Sequence, residues 1–137
     1  MKKITHIIFL VLFITTTSAT CKKNTPVEPP EEDLKISTNP IIGTDIVGAL
    51  SNIYNFKLVL NSKPPKTGVK IDISVKNDLD NSVSFTQSTQ TSSNTVSSID
   101  LQIGNLIPGN LYTATTEVTS LSKATNKTQI VFKIARK

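Results

Sequence analysis

Val69-Lys70-Ile71-Asp72-Ile73-Ser74-Val75-Lys76 carries an apolar side chain at every second position, with a polar one in each gap. Successive side chains of an extended chain point to opposite faces, so the stretch has one greasy face and one wet face. A helix would scatter the same residues around its circumference. The period recurs on both sides. Phe56, Leu58 and Leu60 alternate with Lys57 and Asn61, Val59 being the exception. Ile99, Leu101 and Ile103 alternate with Asp100 and Gln102. Ile130, Phe132 and Ile134 flank Lys133, while Val131 leaves one apolar side chain facing outward. Shorter candidates lie at 34–37, 83–87 and 111–119. Together they make about seven strands at the spacing of an all-β sandwich.

The intervening residues suit that reading. Lys63-Pro64-Pro65-Lys66-Thr67-Gly68 separates two strands, since proline cannot sit in a central ladder. Asn77-Asp78-Leu79-Asp80-Asn81 closes a hairpin. Residues 41–52 are the one segment of ambiguous period; Gly43 and Gly48 argue against a helix, and it reads as an irregular edge strand or a loop. Residues 86–98 are mostly Ser, Thr, Gln and Asn, a solvated edge or loop with weakly specified register.

Leu106-Ile107-Pro108-Gly109-Asn110-Leu111-Tyr112 resembles the Leu-x-Pro-Gly-x-x-Tyr corner of fibronectin type III domains. The resemblance implies an immunoglobulin-like, fibronectin type III-like two-sheet sandwich over residues 34–137. It makes Tyr112 the corner residue, its hydroxyl bonded back to the preceding turn. Pro108 and Gly109 would form that turn, with Leu106 plugging the core. Ala114, Thr116 and Val118 would face inward along one strand, and 130–134 would form the last strand. Two departures matter. The chain has no tryptophan, so Phe56 or Leu58 must fill the volume that such a residue usually occupies. Thr116 places a hydroxyl at an aliphatic position and, if buried, needs a hydrogen-bond partner.

The amino terminus has a different character. Met1-Lys2-Lys3 is followed by an apolar run from Ile4 to Ile14 and then by small polar residues up to Thr20. Charge, grease and small residues in that order make 1–20 a signal peptide, and the run is too short to span a bilayer. Ser18-Ala19-Thr20-Cys21 resembles a lipobox, and Cys21-Lys22-Lys23-Asn24 resembles the start of Bacteroidetes-type lipoproteins. That resemblance implies an acylated Cys21 and an outer-membrane, periplasm-facing location. Cleavage without acylation would leave Cys21 an ordinary thiol. Residues 21–33, with Pro26, Pro29, Pro30 and a run of acids, form a disordered tether that cannot build a core.

Chemistry is sparse. The chain of 137 residues is 37% hydrophobic and 18% charged, with one cysteine, one histidine and no tryptophan. A disulfide-stapled scaffold and a Cys/His zinc site are excluded. His6 departs with the signal, which removes the commonest general base. Ser120-Leu121-Ser122-Lys123 fits Ser-x-x-Lys literally but lies in a polar loop, outside the helical context the motif needs. Asp72 and Asp100 read as solvent-facing charges. Asp78, Asp80 and Asn81 set oxygen donors close together, as a calcium site would. They lack the glycine and glutamate of an EF-hand, and the same residues are ordinary turn formers.

The net charge of +5 raises nucleic acid as a partner. Lys57, Lys70, Lys76 and Lys133, however, fall on polar strand faces, where lysine discourages edge pairing. No aromatic and arginine platform accompanies them. The expectation is a non-enzymatic binding or assembly module with no cofactor and no nucleic-acid partner. It would meet the membrane through its anchor and an envelope protein or glycan through the loops at 63–68, 86–94 and 121–127. Tyr54 is the one aromatic left for a sugar-binding role. A carbohydrate-binding accessory unit, an unrecognised hydrolase and a plain structural spacer are the alternatives.

Overall fold

The computed structural model describes residues 29–43 and 45–137; the signal segment, Cys21 and most of the expected tether lie outside the described residues. The elements are β1 (Ile36–Asn39), β2 (Val47–Ala49), β3 (Tyr54–Leu60), β4 (Val69–Asn77), β5 (Val83–Gln90), β6 (Ser98–Ile103), β7 (Leu111–Ser120) and β8 (Lys127–Arg136). They form two sheets, ordered β1-β3-β6 and β2-β8-β7-β4-β5. The protein is an all-β two-sheet sandwich.

The period-two segments became strands because each could bury one face. Ile71, Ile73 and Val75 of β4 lie beside Val118, Thr116 and Ala114 of β7. Thr116, Ala114 and Tyr112 in turn lie beside Ile130, Phe132 and Ile134 of β8. Against this layer the three-stranded sheet sets Phe56, Leu58, Leu60, Leu101 and Ile103, all buried. Phe56 and Leu58, the two candidates for the core position, are both buried, and Phe56 joins an aromatic cluster. Its ring meets Phe132 edge-on at 5.7 Å and 74°, and Tyr54 stacks beside it at 6.1 Å and 25°.

The sequence expectations shift in three places. The first strand begins at Ile36, because Leu34, buried, gives its N–H to the Asn126 side chain at 2.9 Å and not to a neighbouring strand. Segment 41–52 does yield an edge strand, the three-residue β2, which runs parallel to the end of β8 with Val47 opposite Ile134. Thr116 is buried but, contrary to the sequence argument, its Oγ1 has no hydrogen-bond partner. The neighbours at that level, Ile73 and Ile130, offer no side-chain acceptor.

Candidate functional site

The strands fix two ends. At one, β3 turns into β4, β7 into β8, and β5 leaves for β6; the loops at 63–68, 121–127 and the end of 86–94 therefore meet. Gly68 is their junction. Its N–H donates to Pro65 O at 3.0 Å, and its carbonyl accepts from Leu121 N at 3.1 Å. Its φ is +88°, and a Cβ there would lie 1.9 Å from Thr91 O. Only glycine admits both the left-handed backbone and that approach.

The N-terminal segment docks at this same end. Buried Asn126 accepts from Leu34 N, and its amide donates to the Glu31 carboxylate and, at 2.9 Å, to Glu32 O. Ser122 Oγ donates to the other Glu31 oxygen. Glu32 accepts from Lys63 N at 3.0 Å, and Ser62 Oγ accepts from Lys35 N at 3.2 Å. Desolvation pushes the Glu31 pKa up. The hydrogen bonds from Ser122, Asn126 and Ser120, with the Lys123 charge, outweigh it and hold the carboxyl below its ordinary value. Glu31 and Glu32, read from the sequence as tether, are thus bound to the domain. Around them opens a cleft of about 880 Å³, lined by Pro30, Glu32, Lys63, Pro64, Thr67 and Ser122 among others.

Ser120 and Lys123 of the Ser-x-x-Lys match lie here too. The buried Ser120 Oγ accepts from Ser122 N at 3.2 Å and Lys123 N at 3.3 Å, so it closes its own turn.

The opposite end holds the remaining singled-out residues. Tyr112 is fully buried, and its hydroxyl accepts from Ile107 N at 2.8 Å and from the Asn110 amide at 3.4 Å. Leu106 is buried, Pro108 is exposed, and Gly109 takes φ +81°. Asp78, Asp80 and Asn81 lie in the β4–β5 turn. Asp78 accepts from Lys133 Nζ at 2.7 Å and Thr113 Oγ1 at 2.6 Å, and these bonds hold its carboxyl below the ordinary value. Asp80 accepts from both the N–H and the hydroxyl of Ser82. Asn81 takes φ +58° and donates its N–H to Asn77 O. The three candidate metal residues therefore build and brace a turn, and among the described residues no group of three His, Cys, Asp or Glu side chains converges.

This second end also displays apolar side chains that the sequence reading passed over. Leu79 in the hairpin turn is 86% exposed, Leu50 just beyond β2 84%, and Ile107 at the corner 61%. Val83, where β5 begins, is exposed as well. Backbone bonds bring these segments to one end: Asp78 N donates to Leu111 O, Lys137 N to Ala49 O and Leu106 N to Asn52 O. A signal was present. Leu79 stands among Asn and Asp, and Ile107 beside Pro-Gly, where turn chemistry calls for polar residues.

The outward face of the three-stranded sheet carries a depression of about 540 Å³ lined by Asn39, Asn55, Lys57, Asp100 and Gln102 together with parts of Phe56 and Leu101. Lys57 and Asp100 pair across it at 2.6 Å. Tyr54 is half-buried against Phe56 and Phe132 and presents no free ring platform. No protein-family model matches the chain, and no curated protein matches it.

Proposed function

We propose that the protein is a lipid-anchored envelope module whose fibronectin type III-like sandwich binds a partner protein without catalysis, through the end opposite its tether. The observation that carries this reading is the exposure of Leu50, Leu79 and Ile107 at that end. Soluble surfaces expose single apolar residues freely, and several on the turns of one end are a feature that partner-binding surfaces use. The sheet order and the buried Tyr112 hydroxyl bond support the fibronectin-like assignment. The docking of Glu31 and Glu32 at the other end supports the orientation, with an acylated Cys21 and an outer-membrane, periplasm-facing location as parts of the proposal.

The test uses the full chain in its own envelope. Photo-crosslinking from position 107 should trap a protein that crosslinking from Gln129, on the outer sheet face, does not. Leu79→Asp should reduce that yield severalfold while leaving thermal unfolding unchanged. Equal yields from the two positions, or no effect of Leu79→Asp, would count against the reading.

The amide-lined depression on the three-stranded sheet favours a second reading, a carbohydrate-binding accessory unit. There Asn39, Asn55 and Gln102 would supply the hydrogen bonds and no aromatic ring would contribute. A glycan array separates the two: glycan hits abolished by Asn55→Ala with Gln102→Ala favour the second.

A further inference from the structure

Among the described residues, strand β5 is the outer strand of the five-stranded sheet, paired with β4 on one side and with no strand on the other. The alternation of antiparallel hydrogen bonds identifies which backbone groups its free side offers. Gly68 O accepts from Leu121 N and Leu111 O from Asp78 N, so even-numbered residues of β4 bond toward β7. Odd-numbered residues of β4 bond toward β5, as Thr91 N to Val69 O shows. Their partners in β5 are Thr89, Gln87 and Phe85. The N–H and C=O groups of Thr86, Ser88 and Gln90 therefore point away from the sheet. The Ser84 carbonyl is already taken by the Asn105 amide at 3.3 Å, and a bulge interrupts the β4–β5 ladder near Val83. The open stretch is 86–90.

Edges are ordinarily protected by shortness, proline, bulges or charge. The other edges among the described residues have such protection. β1 is four residues long and runs into Pro40, β2 has three residues, and β6 carries Asp100. β5 has eight residues, and from Asn81 to Ile99 the chain has neither a charge nor a proline.

We infer that β5 pairs with β5 of a second copy of this chain, antiparallel about a two-fold axis through Ser88, joining two five-stranded sheets into one. The absence of charge decides the occupant. Self-pairing sets every residue opposite its twin or a near neighbour, so any charge would face a like charge; here none exists. The register follows from the free groups. Ser88 faces its twin and Thr86 faces Gln90, so the three outward-pointing residues of each copy bond one another in full, while Gln87 and Thr89 meet on the inner face. A register centred on Thr86 would need the Ser84 carbonyl, which is occupied. An edge contact of five residues is small, so self-association belongs to the weak class and is favoured where copies are crowded. This inference does not depend on the anchor or on the apolar end.

Two full-chain variants test it. Ser88→Cys should give a disulfide dimer on mild oxidation, in at least severalfold higher yield than Gln129→Cys; wild type with Cys21 alone sets the background. The Cα separation of directly opposed residues, about 5.5 Å, lies within disulfide reach. Ser88→Lys places two ammonium groups face to face and should leave only monomer in sedimentation at concentrations where wild type shows dimer; its melting curve confirms that it folds. The inference is overturned if wild type stays monomeric up to millimolar concentration, if Ser88→Cys crosslinks no better than Gln129→Cys, or if it crosslinks to a different protein.

Discussion

Single atoms decide the behaviour of Tyr112 and Thr116, which lie on the same inward face of β7. The Tyr112 hydroxyl satisfies Ile107 N inside the turn that precedes its own strand. Tyr112→Phe keeps the ring and removes that acceptor, so unfolding free energy should fall by about 0.5–1.5 kcal/mol. Equal melting of mutant and wild type in thermal or urea unfolding would show that water replaces the bond at no cost. Thr116 is the converse case, with a buried hydroxyl that gains nothing. Thr116→Val replaces it by a methyl of similar size, and stability should rise by about 1 kcal/mol. A loss of stability would mean that the hydroxyl bonds the backbone of its own strand. Gly68 belongs to the same scale. A methyl there meets the Thr91 carbonyl and a left-handed φ at once, so Gly68→Ala should destabilise by more than about 1 kcal/mol.

Elements were legible in the sequence where one face had to be buried. β4 follows directly from alternation, because a shift of one residue would turn Ile71, Ile73 and Val75 into water; β7 was a shorter candidate whose inward residues came from the resemblance of the 106–112 corner. β2 was only half legible: three residues are too few for a period, and their parallel partner lies at the far end of the chain. The docking of the N-terminal segment was not legible at all. Glu31 and Asn126 are 95 residues apart, and nothing local to a Pro-Glu stretch distinguishes a free tether from a held one. The three loops read as a binding surface are largely engaged with one another through Gly68 and with Glu31 through Asn126, a consequence of topology that no segment carries alone. Because the folded Glu31 pKa lies below its ordinary value, this docking contributes fully above the ordinary glutamate range and is lost as pH falls through the folded pKa. The Asn126 side-chain amide resonance should titrate with a midpoint under the ordinary glutamate value, and Glu31→Gln should abolish that titration. A midpoint at or above the ordinary value would remove the basis for the clamp.

At the scale of the whole molecule, the clamp bears on how far the domain would stand from the proposed anchor. With Glu31 fixed to the sandwich, the leash that would join it to an acylated Cys21 in the proposed arrangement is residues 22–30. At about 3.1 Å per extended residue it reaches roughly 28 Å. The nine residues of β4 set the distance between the two ends of the sandwich at roughly 30 Å, at 3.3 Å per residue. That leash would thus be no longer than the domain, and it would start from the end bearing Ser122 and Lys63, where Glu31 is bound. In the proposed anchored form that end is expected to face the headgroups, with Leu79 and Ile107 away from them. In vesicles holding the acylated full chain with headgroup-attached quenchers, a fluorophore on Ser122→Cys should be quenched more strongly than one on Leu79→Cys. Asn126→Ala, which frees the segment, should narrow that difference by lengthening the leash and loosening its point of attachment. Equal quenching at the two positions in the unmodified background would mean that the domain tumbles on its leash, and the apolar end would lose its claim to a defined outward orientation.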